Sequence, residues 1–258
     1  MAAKSYESPA VRKAINLIEL LCDQDRPLGL TEISQELDLN KHMVLRLLST
    51  LEDTGWVVKH PEGPKYSVGM LPFHHTSKVV RRTNLRSASE QPLRALWQET
   101  GESTFLSVLY RGTAMLVEHL DGVGSIRVGA HVGERYPLNC TAAGKALLAF
   151  GGSDLLAQAA ERGFERPTPN SLCTMNELRG ELERIREAGY ALDREESITG
   201  VVCLGAPVFD HAGQLAGVVG LTVFSLAYTM VAVEGQLALR VVGAAAEISQ
   251  ALGWPGRP

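Results

Sequence analysis

The side chains able to do covalent chemistry are few and scattered. Cys203 with His131 or His211 would make a thiol nucleophile and its base. No third group that would orient the base stands at a recognisable spacing. The apolar run around Cys203, VVCLGAPVF (201–209), would also raise the thiol pKa. Cys22, Cys140, Cys173 and Cys203 lie far apart with no CxxC pair, which fits neither a disulfide framework nor a zinc site. His74-His75 lacks metal-ligand spacing. GVGSIR (122–127) lacks the last glycine of a dinucleotide fingerprint and does not join a strand to a helix. No catalytic residue and no metal ligand is assigned, and no cofactor is expected. The remaining candidates work without covalent chemistry: basic and polar side chains at 41–49, and a helix start at Thr141.

The elements that position the first group occupy the N-terminal part. Val11, Ala14, Ile15, Ile18 and Leu21 follow the stripe of an amphipathic helix, with Ser8-Pro9 as N-cap and first residue. RPLG (26–29) reads as a turn. Thr31 is placed to cap a second helix that buries Ile33 and Leu37. Asn40 is placed to cap a third, from Lys41 to about Asp53, which buries Val44, Leu47, Leu48 and Leu51 and ends at Gly55. WVVKH (56–60) and YSVG (66–69) flank PEGPK (61–65) as a hairpin. Three helices and a hairpin make a winged helix-turn-helix. Its third helix would present Lys41, His42, Leu45, Arg46 and Ser49, with Thr31 and Met43 beside them, to the DNA major groove. Lys59, His60 and Lys65 on the hairpin would reach phosphates. The same pattern would also suit an ordinary helical subdomain with a charged, solvated face.

The charge distribution agrees with two parts. Of 258 residues, 45% are hydrophobic and 21% charged, which suits a globular protein and excludes global disorder. Residues 1–86 hold 12 Lys+Arg against 10 Asp+Glu, a net +2. Residues 87–258 hold 13 against 19, a net −6. A large acidic second part argues against a purely architectural DNA binder, which relies on basic surface. Val201–Val233 is broken by Pro207, Asp210, His211 and Gln214, short of the ~20 apolar residues a membrane span needs. MAAKSYESPAVRK has no apolar run behind it, so a cytoplasmic location is expected. The expected domains are 1–72, a DNA-binding head; 73–91, a linker helix; and 92–258, entered at Pro92. In the last, Leu93, Leu96 and Trp97 make a helix face ending at Gly101. STFLSVLY (103–110), AMLVEHL (114–120) and SIRVGA (125–130) read as strands. TAAGKALLAF (141–150) is a helix capped by Thr141, and its free N–H groups could hold a carboxylate. Residues 155–163 and 177–189 are helical, 201–209 and 214–224 form a buried hairpin, and 228–252 closes the chain. Strands in hairpins with helices on one side indicate an α+β domain on a mostly antiparallel sheet.

Three separated segments resemble the IclR family of bacterial transcriptional regulators. They are AINLIELL…GLTEISQELDLNKHMVLRLLSTLEDTGWV, GERYPLNCTAAGKALLA (133–149) and IREAGYALDREESITGVVCLGAPVFD (185–210). The resemblance covers nearly the whole chain in order. It implies a winged helix followed by a GAF-like effector-binding domain. It further implies dimers or tetramers on double-stranded operator DNA, tuned by a small metabolite of the keto acid or aromatic acid class, with no membrane involved. By match to the family's ligand positions, Thr141, Ala142, Ala143, Asp193, Cys203, Gly220 and Thr222 would contact the effector. Gly220 and Thr222 stand where relatives often carry two serines, so Gly220 would remove a donor and open space. The recognition helix departs too. Lys-Ser-Thr, a His or Tyr and Arg are frequent in the family, whereas Lys41-His42-Met43-Val44-Leu45-Arg46 stands here, so a different operator is implied. Repression and activation use the same head, and the sequence does not distinguish them.

Overall fold

The computed structural model describes residues 8–75, 84–125, 127–254 and 256. The chain divides into two units, Met1–Arg82 and Thr83–Pro258. The first contains α1 (Pro9–Cys22), β1 (Leu28–Gly29), α2 (Leu30–Glu36), α3 (Lys41–Asp53), β2 (Val57–Lys59) and β3 (Lys65–Val68). Leu17 and Leu21, and likewise Val44 and Leu48, are four residues apart and so share a helix face. These faces meet Ile33, Val57 and Tyr66 in one core. β2 and β3 pair antiparallel from Val57↔Val68 to Lys59↔Tyr66.

Two local expectations change here. Part of the turn expected at 26–29 is strand, because Leu28 pairs with Tyr66 and joins the core. Thr31 does not cap α2 but lies within its first turn. Gly29 precedes the helix, and the Glu32 carboxylate reaches back to accept the Gly29 N–H at 2.7 Å. A Glu at this position satisfies an N-terminal donor without any help from residue 31.

The second unit contains α4 (Asn84–Thr100), β4 (Ser103–Tyr110), β5 (Thr113–Leu120), β6 (Arg135–Tyr136), α5 (Ala142–Phe150), α6 (Ser153–Arg162), α7 (Met175–Ala188), β7 (Ala191–Arg194), β8 (Val201–Phe209), β9 (Leu215–Phe224), α8 (Met230–Ala232), a π-helical turn (Val233–Leu237) and α9 (Ala238–Ala251). The strands form one antiparallel sheet in the order β6-β5-β4-β9-β8-β7. Helices cover both of its faces rather than one. Leu106, Leu204, Val219 and Leu221 pack with Leu93 and Leu96 of α4 and Val241 and Ile248 of α9. Phe105, Leu116 and Val218 pack on the other face with Ala146 and Leu147 of α5 and Leu182 and Ile185 of α7. A strand covered on both sides has no polar face, which is why 201–209 reads as a continuous apolar run rather than an alternation.

Three further expectations shift. Residues 127–130 are not strand, and Ile126 lies outside the described residues. The expected linker helix falls partly on 76–83, which also lies outside them. From Asn84 onward the helix runs on through Pro92 to Thr100, so Pro92 marks no break. A proline in a helix interior costs about 3 kcal/mol; burial of Leu85, Leu93 and Leu96 on the sheet offsets it, at roughly 1.5–3 kcal/mol for each side chain.

The start of α5 sits unusually close to its neighbours. A Cβ on Gly144 would lie 2.5 Å from the Pro137 carbonyl oxygen and 2.5 Å from Leu138 Cα. A Cβ on Gly205, in β8, would lie 3.3 Å from the Ala142 backbone and 2.9 Å from Val218 Cγ1. Gly144→Ala is therefore expected to destabilise the second unit by ~1–3 kcal/mol through overpacking against backbone. The readout is a lowered urea midpoint with an unchanged slope.

Candidate DNA-binding face and effector cavity

The turn between α2 and α3 is made by Asp38, whose φ of 49° lies in the left-handed region that aspartate tolerates. The Ser34 hydroxyl donates to the Leu39 carbonyl at 2.5 Å, and the Asn40 side chain accepts the Met43 N–H at 2.9 Å. These bonds fix where α3 begins. Burial of Val44, Leu48 and Leu51 turns the opposite face outward, so Lys41, His42, Leu45, Arg46 and Ser49 are exposed and Met43 is half-buried. Thr31 on α2 is exposed as well, as are Lys59 and Lys65 on the hairpin. His60 is engaged with the Ser67 hydroxyl at 2.9 Å. Among the described residues, no ion pair neutralises Lys41, Arg46 or Lys59. This face offers cationic and hydrogen-bonding groups at the amino end of a helix, with Leu45 as an apolar group suited to a thymine methyl.

In the second unit, α5 begins over a partly open cavity. Thr141 caps the helix: its hydroxyl accepts the Gly144 N–H at 3.0 Å and donates to the Pro137 carbonyl at 2.8 Å. Helix geometry leaves the N–H groups of Ala142 and Ala143 without an intrahelical acceptor at the cavity wall. The facing sheet carries a polar row across four strands. Asp193 pairs with Cys203, Cys203 with Thr222, and Thr222 with Ser103. All four line the cavity, together with Thr141, Ala142 and Ala143. Six of the seven effector positions expected from the sequence thus converge on one cavity.

Gly220 is the exception. It does not line the cavity, and the space it frees is already filled: a Cβ there would lie 2.4 Å from Phe105 Cζ and 2.0 Å from the Leu204 carbonyl oxygen. The Phe105 ring takes that place in the wall. Phe105, Ser103 and Ser107 were not assigned from sequence, although the two-residue period of STFLSVLY puts all three on one face. His119, Tyr136 and Ser197 also line the cavity and carried no comparable signal.

The electrostatics follow from burial. Asp193 is fully buried, and desolvation pushes its pKa up to about 6. Hydrogen bonds from the Ser197 hydroxyl and the Glu196 N–H (2.6 Å) act in the opposite direction. Burial, with the Asp193 charge nearby, raises the Cys203 thiol, whose sulfur lies 3.3 Å from the Thr222 hydroxyl. A thiol held protonated in this way is a poor nucleophile, and neither His131 nor His211 is its hydrogen-bond partner. Burial lowers the His119 pKa, which favours the neutral ring. One turn into α5, Lys145 is completely buried. Its ammonium is paired with Glu196 and lies 3.5 Å from Glu181, which is itself paired with Arg184. The ion pair ties the helix to the loop that follows β7 and carries Ser197.

The profile of the bacterial transcriptional regulator IclR C-terminal domain matches residues 77–250, and that of the IclR helix-turn-helix domain matches residues 10–61. The chain belongs to the IclR family. It is 31% identical to the HTH-type transcriptional regulator XynR of Escherichia coli (strain K12), over 83% of this chain and 85% of XynR. The crystal structure of Thermotoga maritima IclR superimposes with a TM-score of 0.78 at 27% identity, covering 95% of this chain and 98% of that one. An IclR homolog of Microbacterium hydrocarbonoxydans, crystallised with 4-hydroxybenzoate, shares the fold at TM-score 0.84 and 17% identity, covering 94% and 98%. As an IclR-family member the chain is a transcriptional regulator and not an enzyme, in keeping with the protonated state of Cys203. No helix among the described residues is long and apolar enough to cross a membrane.

Two outcomes follow from the buried charges of this IclR-type domain. Lys145→Met leaves Glu196 buried without its cation, and is expected to cost ~3–5 kcal/mol in urea denaturation. For Asp193, the folded state keeps its proton to a higher pH than the unfolded chain does. The stability of the wild type relative to Asp193→Asn therefore falls as pH rises from about 4 to about 6 and is level above that. Paired denaturation curves across this range provide the check.

Proposed function

We propose that the exposed face of α3 reads operator DNA and that a small carboxylate held at the start of α5 modulates that reading. In the head, Lys41 and Arg46 serve phosphates or guanine edges. His42, Met43, Leu45 and Ser49 meet neighbouring groove edges, Thr31 lies beside them, and Lys59 and Lys65 contact flanking phosphates. Two heads of a dimer, or of a dimer within a tetramer, read half-sites about one DNA turn apart, or a multiple of it. The absence of the family's usual hydroxyls at positions 42 and 43 supports an operator unlike those of other members.

The observation that carries the effector reading is the convergence of the open α5 N-terminus with the Asp193–Cys203–Thr222–Ser103 row in one cavity. Ala142 and Ala143 offer N–H donors, aided by the helix dipole. Thr222 and Ser103 offer hydroxyls. Asp193 at the far end of the row repels an anion and so favours one orientation of the ligand. A bound effector alters DNA affinity only through different affinity for two arrangements of the protein, with ~1–3 kcal/mol of coupling being usual.

The test is fluorescence anisotropy on DNA from upstream of the protein's own gene, with a random-sequence control and a salt titration. The wild type is expected to prefer the upstream DNA. Lys41→Ala/Arg46→Ala is expected to lose that preference, and the slope of log affinity against log salt should shrink by about 2. Equal binding of both DNAs by the wild type and by the double variant would sink the assignment of α3.

A further inference from the structure

We propose that Arg194 is the positioning residue through which the state of the cavity reaches α9 and α4. The inference rests on the reading that the cavity modulates the head, and adds the route within the second unit. The sheet separates two helical layers: α5 and α7 on one face, and the π-helical turn, α9 and α4 on the other. β7 is an edge strand. Asp193 lines the cavity, whereas Arg194, the last residue of β7, shares the face of Leu192, which belongs to the core built with α9. At an open edge a long side chain can reach around the sheet. The Arg194 guanidinium lies 3.0 Å from Glu234 Oε1 on the π-helical turn and 3.8 Å from Glu181 Oε1 on α7. Among the described residues, no other cation pairs with carboxylates of both layers.

The cavity end of the route is the loop after β7. Asp193 accepts the Glu196 N–H at 2.6 Å and the Ser197 N–H at 3.3 Å, and the Ser197 hydroxyl also donates to it. Asp193 and Ser197 both line the cavity, so a ligand that competes for either one moves Glu196. The Glu196 carboxylate is held through Oε1 alone, since its buried Oε2 has no protein partner. A shift of Glu196 leaves Lys145 to Glu181, the other carboxylate beside it. Glu181 Oε1 is the atom that Lys145 and Arg194 share. Two cations on one oxygen repel, so closer approach by Lys145 drives Arg194 away from Glu181. Arg194 then no longer ties the π-helical turn to the layer of α7. That turn leads straight into α9, and α9 is paired with α4 through Arg240 and Glu99. α4 is the element of this unit that follows the head in the chain. π-helical turns are rare and commonly sit at functional sites.

Hydrogen-exchange mass spectrometry of the full-length protein tests this route without DNA or effector, so its failure is separate from that of the carboxylate reading. Ser197→Ala removes the hydroxyl bond to Asp193 and stands in for a ligand. In otherwise wild-type protein it is expected to speed exchange across 233–251 about threefold or more. Arg194→Lys keeps the charge but lacks a fork that spans two carboxylates. In that background Ser197→Ala is expected to change exchange across 233–251 by less than about 1.5-fold. Glu234→Gln, at an exposed position outside the cavity, is expected to block the effect equally. A cooperative melting transition is required of each protein. Glu234→Gln serves alone if Arg194→Lys does not fold, and Asp193→Asn replaces Ser197→Ala if the latter does not. Absence of the acceleration in otherwise wild-type protein overturns the proposal, as does an acceleration that persists in either background. Both of those outcomes leave the carboxylate reading standing.

Discussion

The close seating of α5 on the sheet is the constraint on which the second unit depends. Gly144 and Gly205 leave no room between the helix start, the 137–138 backbone and β8. At that distance the first amides of α5 stand directly over the polar row. Lys145 then anchors the helix from below through Glu196, whose backbone N–H is already bonded to Asp193. One helix end, one buried cation and one loop therefore share a single set of contacts. Burying three ionised groups is costly in itself. In return, the wall of the cavity is held by charge-assisted bonds that leave few alternative positions for α5.

The head uses a different economy. Among its described residues no ionisable side chain other than Tyr66 is buried, and the position of α3 is set by a leucine-rich core and by local bonds at Ser34, Asp38 and Asn40. The result is a rigid helix with a freely variable outer face. His42 and Met43 stand where hydroxyls are frequent in the family, and the buried residues Val44 and Leu48 are unaffected by this.

Much of the architecture was legible in the sequence because period and capping are local signals. The stripes at Val44–Leu48, the Asn40 cap, the strands beginning at Ser103 and Val201, and the Thr141 helix start all follow from nearest neighbours. What was not legible depended on residues distant in sequence. The apolar run 201–209 did not reveal that two helix layers cover it. Thr31 looked like a cap until Glu32 was seen to reach Gly29. β7 has only four residues, too few for a period, and is recognised by its pairing with β8. In the cavity, Asp193, Cys203 and Thr222 came from family resemblance, and the structure adds the strand register that aligns them. Gly220 shows the reverse case. A missing side chain suggested open space, but the occupant, Phe105, lies over one hundred residues earlier in the chain.

The polar row has an evolutionary consequence. Its four members come from four strands, and the neighbours of Cys203 (Val202, Leu204) and of Thr222 (Leu221, Val223) along their strands serve a separate core. A change at Cys203 or Thr222 therefore alters the cavity wall without replacing a residue packed under α4 and α9. Recognition of a carboxylate as proposed above would, by contrast, use backbone amides and not depend on which side chains are present. Such a domain can move from one acid to another by single substitutions while keeping a constant grip on the group they share. Diversification of effectors within one fold then requires no passage through unfolded intermediates.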